Sequence, residues 1–192
     1  MLESTIKQRN SPLTKRRMGI GLTLKQTAER ADGSISAQRV HDWEAWAADP
    51  GKPGALSLWN SRAFSALAYA HALGLSLDGL MRLVPVDPRV ADVAILGGDE
   101  PPVVDVADGN GVTFREIVAC AGLTGSGLAA RMGVSKQNVT RWMRWGDAVP
   151  SAYALDPARM NVVSLVRVAA VLGLSLDELE TRLLAGRHAE LA

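Results

Sequence analysis

A cluster of polar side chains in the second half of the chain has the residue types that hydrogen-bond nucleobases and phosphates. Glutamine can bond an adenine edge through two atoms, and lysine or arginine can bond guanine. Cationic and hydroxyl side chains also bind phosphate oxygens. Apolar Val139 and Trp142 lie among them, three residues apart, so a helix here would have one apolar and one polar face. The cluster consists of Lys136, Gln137, Asn138, Thr140, Arg141 and Arg144.

Other kinds of chemistry find little support in the sequence. The single cysteine, Cys120, cannot form an internal disulfide bond, and the histidines at 41, 71 and 188 lack metal-ligand spacing. No Ser-His-Asp or Cys-His set stands in a recognisable context, and no glycine-rich loop follows a strand. We therefore expect no enzyme activity, no metal site and no cofactor.

The composition is that of a globular protein, with 47% hydrophobic and 21% charged residues in 192. The chain lacks an apolar run of about 18 residues and its start lacks a secretory signal, so we expect a cytoplasmic protein without a membrane partner. The net charge is +1, but residues 1–84 carry 11 basic and 7 acidic side chains, residues 85–111 carry 1 and 6, and residues 112–192 carry 9 and 7. Two mildly basic ends thus flank an acidic middle.

An internal repeat organises the chain. The hexapeptide Leu73–Asp78 recurs unchanged as Leu172–Asp177, an offset of 99 that also superposes Trp43 on Trp142. We infer two diverged copies of one unit of about 75 residues.

Further upstream the offset between the copies is 101, because Gly21-Leu22-Thr23 matches Gly122-Leu123-Thr124. The first copy therefore has two extra residues within 31–34. The predicted domains are 1–84 and 112–192, joined by an acidic linker over 85–111. Within this linker, 93–96 and 103–106 are candidate strands of a short β-hairpin, and a flexible tether is about as compatible with the sequence.

The second copy predicts five short helices. Thr113 with Glu116, and Ser175 with Glu178, fit capping boxes at helix starts, and glycines are expected to end helices. The predicted helices run to about Ala121, over 125–132, from the Ser135 cap through Trp145, over Met160–Leu172 and to about Leu184, with a loop over Asp147–Pro157.

The segment Gly125–Trp145 has the spacing of a helix-turn-helix. Two short helices that cross steeply need a small residue where they touch, here Ala129, and a residue that tolerates positive φ four positions later, here Gly133. On these residues the chain resembles the Cro-like, lambda-repressor-like helix-turn-helix family, also called the xenobiotic-response-element type. The resemblance covers most of 112–184, including the LGLSLDEL element, and more weakly 11–83.

The resemblance implies an all-α fold with five helices per copy, the third of which enters the major groove of DNA. Family members read bases mainly from the first, second and sixth positions of that helix, which here are Lys136, Gln137 and Arg141. The other candidates of this copy are Asn138, Thr140 and Arg144 and, as phosphate anchors at the start of the second helix, Thr124 and Ser126.

The first copy departs from this pattern at the same positions, which hold Ala37, Gln38 and Asp42, followed by Glu44. Because a carboxylate is repelled by phosphate, we expect the second copy to be the stronger reader, although aspartate can accept a hydrogen bond from cytosine. Asp42 and Glu44 are alternatively plain surface charges or part of a protein interface. The DNA-binding candidates of this copy are Gln38, Arg39, His41 and Lys25, while the Lys15–Arg17 cluster is either a solvated face or a phosphate contact.

The remaining aromatic residues and the cysteine favour structural interpretations. The repeat places Trp43, Trp46, Trp142 and Trp145 on the inner side of the third helix, whereas Trp59 is ambiguous between core and interface. Cys120 is expected to be an inert small core residue.

These residues predict sequence-specific binding of double-stranded DNA, and the resemblance implies a transcriptional regulator, most simply a bacterial or phage repressor. A homodimer stays open. The alternative is a protein–protein interaction adaptor or antitoxin-like module derived from the same fold, in which one or both copies do not read DNA.

Overall fold

The structure is a computed structural model that describes residues 11–51, 56–92, 113–145 and 152–190. These residues form α-helices and short 3₁₀ turns and contain no β-strand, as the all-α prediction requires. Among them, no helix is long and apolar enough to cross a membrane.

The chain divides into two compact units. The first contains Met1–Ala91 and Asn161–Val163, and the second contains Asp92–Met160 and Ser164–Ala192. The described helices before residue 92 are α1 (Pro12–Gly19), α2 (Leu24–Arg30), α3 (Ala37–Ala48), α4 (Ala63–Ala72) and α5 (Leu77–Met81). Those after it are α6 (Phe114–Cys120), α7 (Gly125–Met132), α8 (Lys136–Met143), α9 (Val162–Leu172) and α10 (Leu176–Glu190).

Side-chain caps start these helices where the sequence predicts them. Glu116 accepts a hydrogen bond from the Thr113 backbone N–H at 2.7 Å, and Thr113 Oγ1 accepts one from the Glu116 N–H at 3.3 Å. The bond from the Thr113 N–H lowers the pKa of Glu116, because it favours the charged carboxylate. Ser175 and Glu178 form the same reciprocal pair at 2.9 and 3.1 Å. Both predicted capping boxes are therefore confirmed.

The turn between α7 and α8 also follows its sequence. Gly133 adopts φ 65°, ψ 32°, a left-handed conformation that costs glycine little, and Ser135 caps α8 by accepting from the Asn138 N–H. The corresponding turn of the first unit is longer, over residues 31–36, and both Asp32 (φ 51°) and Gly33 (φ 69°) are left-handed. The two extra residues expected within 31–34 thus form a wider turn.

Three helix ends differ from the prediction. Helix α8 stops at Met143 and not at Trp145, whose N–H instead bonds Trp142 O at 3.1 Å and tightens the last turn. Helix α9 starts at Val162, two residues late, because a 3₁₀ turn occupies Pro157–Arg159. Helix α10 continues to Glu190, past the predicted end at Leu184, since one internal glycine costs only about 1 kcal/mol.

Most of the tryptophans lie in the core. Trp43, Trp46 and Trp142 are buried as predicted, and Trp145 is half-buried. Trp59, left ambiguous by the sequence, is a core residue that is 0% exposed.

Cys120 is exposed, so its prediction as a core residue is wrong. The buried face of α6 consists of Phe114, Ile117 and Val118, at spacings of three and four, and Cys120 falls outside this stripe.

The part of the predicted linker that the structure describes is folded against the first unit. Residues Pro88–Val90 form a 3₁₀ turn with Val90 1% exposed, and the Trp59 indole N–H donates to Pro85 O at 2.8 Å. The predicted β-hairpin, and residues 147–151 of the predicted 147–157 loop, lie outside the described residues.

A half-buried carboxyl makes the stability of the second unit depend on pH. Burial, with a contribution from Asp177, raises the pKa of Glu180 from 4.5 to about 7. Because the folded state then disfavours the charged form, the stability that Glu180 contributes is complete below pH 4.5 and is lost as the pH rises towards 7. Urea unfolding of the full chain at a series of pH values should show this loss for the second unit. The Glu180→Gln variant should flatten that part of the profile, and an unchanged profile would contradict the assignment.

Candidate nucleic-acid interface

The exposed face of α8 gathers the polar side chains that the sequence singled out in the second copy. Lys136, Gln137 and Asn138, in the first turn of the helix, and Arg144 at its C-cap are exposed, and Thr140 and Arg141 are half-buried. On the opposite face, Val139 is 0% and Trp142 is 7% exposed. The helix therefore separates an apolar face from a polar one.

Apolar packing holds α8 in position. Trp142 meets the Phe114 ring edge-on, with ring centroids 6.4 Å apart and an interplanar angle of 87°. At the start of α7, a Cβ on Gly125 would lie 2.5 Å from Met143 Sδ, so the end of the Met143 side chain packs closely against the glycine. The side chains of its first turn and of its C-cap are exposed and take no part in this packing.

The charge on this face has one sign. Among the residues of α8 and its C-cap, Lys136, Arg141 and Arg144 are cationic and none is acidic. An uninterrupted cationic helix face attracts a polyanion and can contact phosphates and base edges together.

The predicted phosphate anchors lie at the start of α7. Thr124 caps the helix by accepting from the Gly127 N–H at 3.1 Å, and both Thr124 and Ser126 are exposed. The first amides of a helix have no partner within it, so this end can bind an anion.

In the first unit, the candidates on α3 are tied to a carboxylate. Gln38 Nε2 donates to Asp42 Oδ1 at 2.7 Å, and His41 Nδ1 lies 3.5 Å from the same oxygen. Arg39 is exposed. On α2, Lys25 is exposed and lies 3.7 Å from Glu29. The structure thus places Gln38 and His41 together, but around a negative charge.

Two of the three cations in the Lys15–Arg17 cluster have structural roles. Arg16 donates to the carbonyls of Leu73 and Gly74 at 3.0 and 3.1 Å and so binds the C-terminal end of α4. Arg17 is 9% exposed and forms two bonds with Glu44, at 2.6 and 2.9 Å. Only Lys15 is exposed.

Glu44 is neither a surface charge nor part of an exposed interface, because it is 1% exposed. Besides Arg17, it accepts hydrogen bonds from Thr14 at 2.9 Å and Tyr69 at 3.4 Å. The bond to Glu44 raises the pKa of Arg17, and burial raises the pKa of Tyr69 well above its usual value. At the positions of Arg17, Glu44 and Tyr69, the second copy has Val118, Met143 and Val168.

The described residues contain no group of three or more His, Cys, Asp or Glu side chains that could hold a metal ion. Comparison of the chain with protein-family models, curated proteins and solved structures finds no match.

Proposed function

We propose that the protein is a sequence-specific binder of duplex DNA that regulates transcription, with α8 of the second unit as its main reading element. The observation that carries the proposal is the polar face of α8, which is cationic and whose first turn and C-cap are exposed. In this proposal α7 and α8 form a helix-turn-helix, each unit is a Cro-like domain, and the domains extend over 1–84 and 112–192.

The chemistry of this face suits base reading in the major groove. Lys136, Gln137 and Asn138 are exposed at the N-terminal end of α8, the end that such helices direct towards the bases. Arg141 lies one turn further on and Arg144 caps the other end, so both can contact a base edge or the backbone. Thr124 and Ser126 at the start of α7 would bind a neighbouring phosphate. We also propose that the protein acts in the cytoplasm as a repressor.

Mutation of α8 tests the proposal. A selection from random duplex DNA with the full chain identifies a preferred sequence. Gln137→Ala and Arg141→Ala should then each lower the affinity for that sequence by about 1–3 kcal/mol, because each removes a base contact. Arg144→Ala should make the slope of log K for DNA binding against log salt concentration shallower by about 0.9, as expected for the loss of one phosphate contact.

The matched control is Gln38→Ala in α3. Its amide is already bonded to Asp42, so we expect a much smaller effect on affinity. Unchanged affinity in both Gln137→Ala and Arg141→Ala would refute the role of α8.

The acidic side of α3 favours a second candidate function, a protein–protein adaptor or antitoxin-like module. Asp42 holds Gln38 at 2.7 Å and lies beside His41, an arrangement that suits a basic protein partner better than phosphate. Failure to select any duplex sequence would favour this candidate over DNA reading.

A further inference from the structure

A polar cavity of about 440 Å³ lies in the first unit, between the turn that precedes α3 and the start of α4. Two arginines line it, Arg39 from α3 and Arg62 from the N-cap of α4, and none of its lining residues is acidic. The cavity is within the size range of small-molecule sites in proteins. Its charge favours an anion.

Two residues that line this cavity each carry a buried polar atom that has no hydrogen-bond partner among the residues described. Trp43 is 0% exposed and its Nε1 is unpaired, and Ser61 is 8% exposed with its Oγ unpaired. An indole N–H can only donate, and leaving a buried donor unpaired costs about 1–3 kcal/mol. A ligand with acceptor oxygens would satisfy both groups.

The start of α4 lies at the same place. This helix of ten residues has Arg62 at its N-cap, and no side chain caps it by a hydrogen bond. The Ser65 N–H bonds Arg62 O at 3.0 Å, so the helix start contributes mainly its dipole, which favours a negative charge there.

We propose that this cavity binds a small molecule that carries a phosphate group. The donors carried by its lining residues are the two guanidinium groups, the Trp43 indole and the Ser61 hydroxyl. They outnumber the two oxygens of a carboxylate and suit the three free oxygens of a phosphate monoester. The volume exceeds that of phosphate alone, and Ile35 with the Trp43 ring provides apolar wall for the rest of the ligand.

The site belongs to the first copy. At the positions of Arg39, Ser61 and Arg62, the second copy has Asn138, Met160 and Asn161, which remove both cations and the hydroxyl. A phosphate of duplex DNA is held on its backbone, whereas a free small molecule can enter a cavity of this volume.

The test follows the indole N–H resonances of the full ¹⁵N-labelled chain, assigned by triple-resonance NMR, without DNA. The probes are inorganic phosphate and glycerol phosphate, with sodium chloride at matched ionic strength as reference. We expect both probes to move the Trp43 resonance downfield in a saturable way. The other four indole resonances should hardly move.

Arg62→Gln should weaken this binding about tenfold, the loss expected for one charged hydrogen bond. Arg82→Ala, which removes an exposed arginine outside the cavity, should leave it unchanged. The unmoved indole resonances show that each variant is folded. The proposal is overturned if phosphate acts no differently from chloride, or if Arg62→Gln binds like the unmodified chain. Because no DNA is present in the titration, a negative result does not bear on the role of α8 in DNA binding. A failure of the α8 variants to change DNA affinity likewise does not bear on this cavity.

Discussion

Replacing Glu44 by alanine is expected to destabilise the first unit by about 3–5 kcal/mol, because Arg17 then stays buried without its counter-charge. The carboxylate also accepts from Thr14 and Tyr69, so its loss strands two hydroxyl groups as well. Urea unfolding of the full chain, followed through the indole resonances of Trp43 and Trp46, measures this loss for the first unit alone.

The matched variants separate the loss of the partner from the loss of packing. The combined change Arg17→Met, Glu44→Met and Tyr69→Phe removes both charges together and places apolar side chains at these positions, as in the second copy. It should recover most of the lost stability, since a well-packed apolar replacement of a buried ion pair is often neutral or stabilising. Glu29→Ala, which removes an exposed partner of Lys25, should change the stability by less than 1 kcal/mol. A cost of under about 1 kcal/mol for Glu44→Ala would show that the pair is dispensable.

The second large effect is expected from Trp142→Ala in the second unit. The side chain is 7% exposed and packs edge-on against Phe114, so its truncation removes apolar contact and leaves a cavity beneath α8. We expect a loss of about 3–5 kcal/mol, enough to unfold a marginally stable unit. In urea unfolding of the variant, the native Trp145 indole resonance should disappear at a lower urea concentration than in the unmodified chain. The resonances of Trp43 and Trp59 in the first unit should be unaffected.

Trp145→Ala is the control for this prediction. Trp145 is only half-buried and follows the end of α8, so its removal should cost less than that of Trp142. Equal costs for the two variants, or near-native stability of Trp142→Ala, would mean that Trp142 does not hold α8 in place.

Local features of the fold could be predicted from the sequence because their causes lie within a few residues. A threonine and a glutamate three residues apart specify the capping box of α6, and Gly133 specifies the turn before α8. The end of α8 could not be placed to the residue, because the change to a tighter last turn carries no composition signal.

The buried ion pair of the first unit shows where sequence reasoning missed a signal. Arg17 and Glu44 are 27 residues apart, and their pairing depends on how α1 and α3 pack. The position of Glu44 could still have been found, since it continues the buried stripe of Val40, Trp43 and Ala47 on α3. A carboxylate on an apolar stripe indicates a buried cation elsewhere.

The cavity beside α3 lay beyond prediction for a different reason. Arg39 and Arg62 are 23 positions apart in the sequence, and nothing local to either indicates the other. The hydrogen bond between Gln38 and Asp42 is the opposite case, because side chains four residues apart on a helix are neighbours. It could have been predicted, and it would have lowered the expectation for Gln38.

The charged core of the first unit also guards against a folding error to which tandem copies are prone, the exchange of equivalent helices between them. If α3 docked in the second unit, Glu44 would enter a core in which the position of Arg17 is held by Val118 and not by a cation. If α8 docked in the first unit, Met143 would take the position of Glu44 and the buried Arg17 would have no carboxylate partner. Each mismatched product carries an unneutralised buried charge, so this ion pair favours the docking of each helix in its own unit.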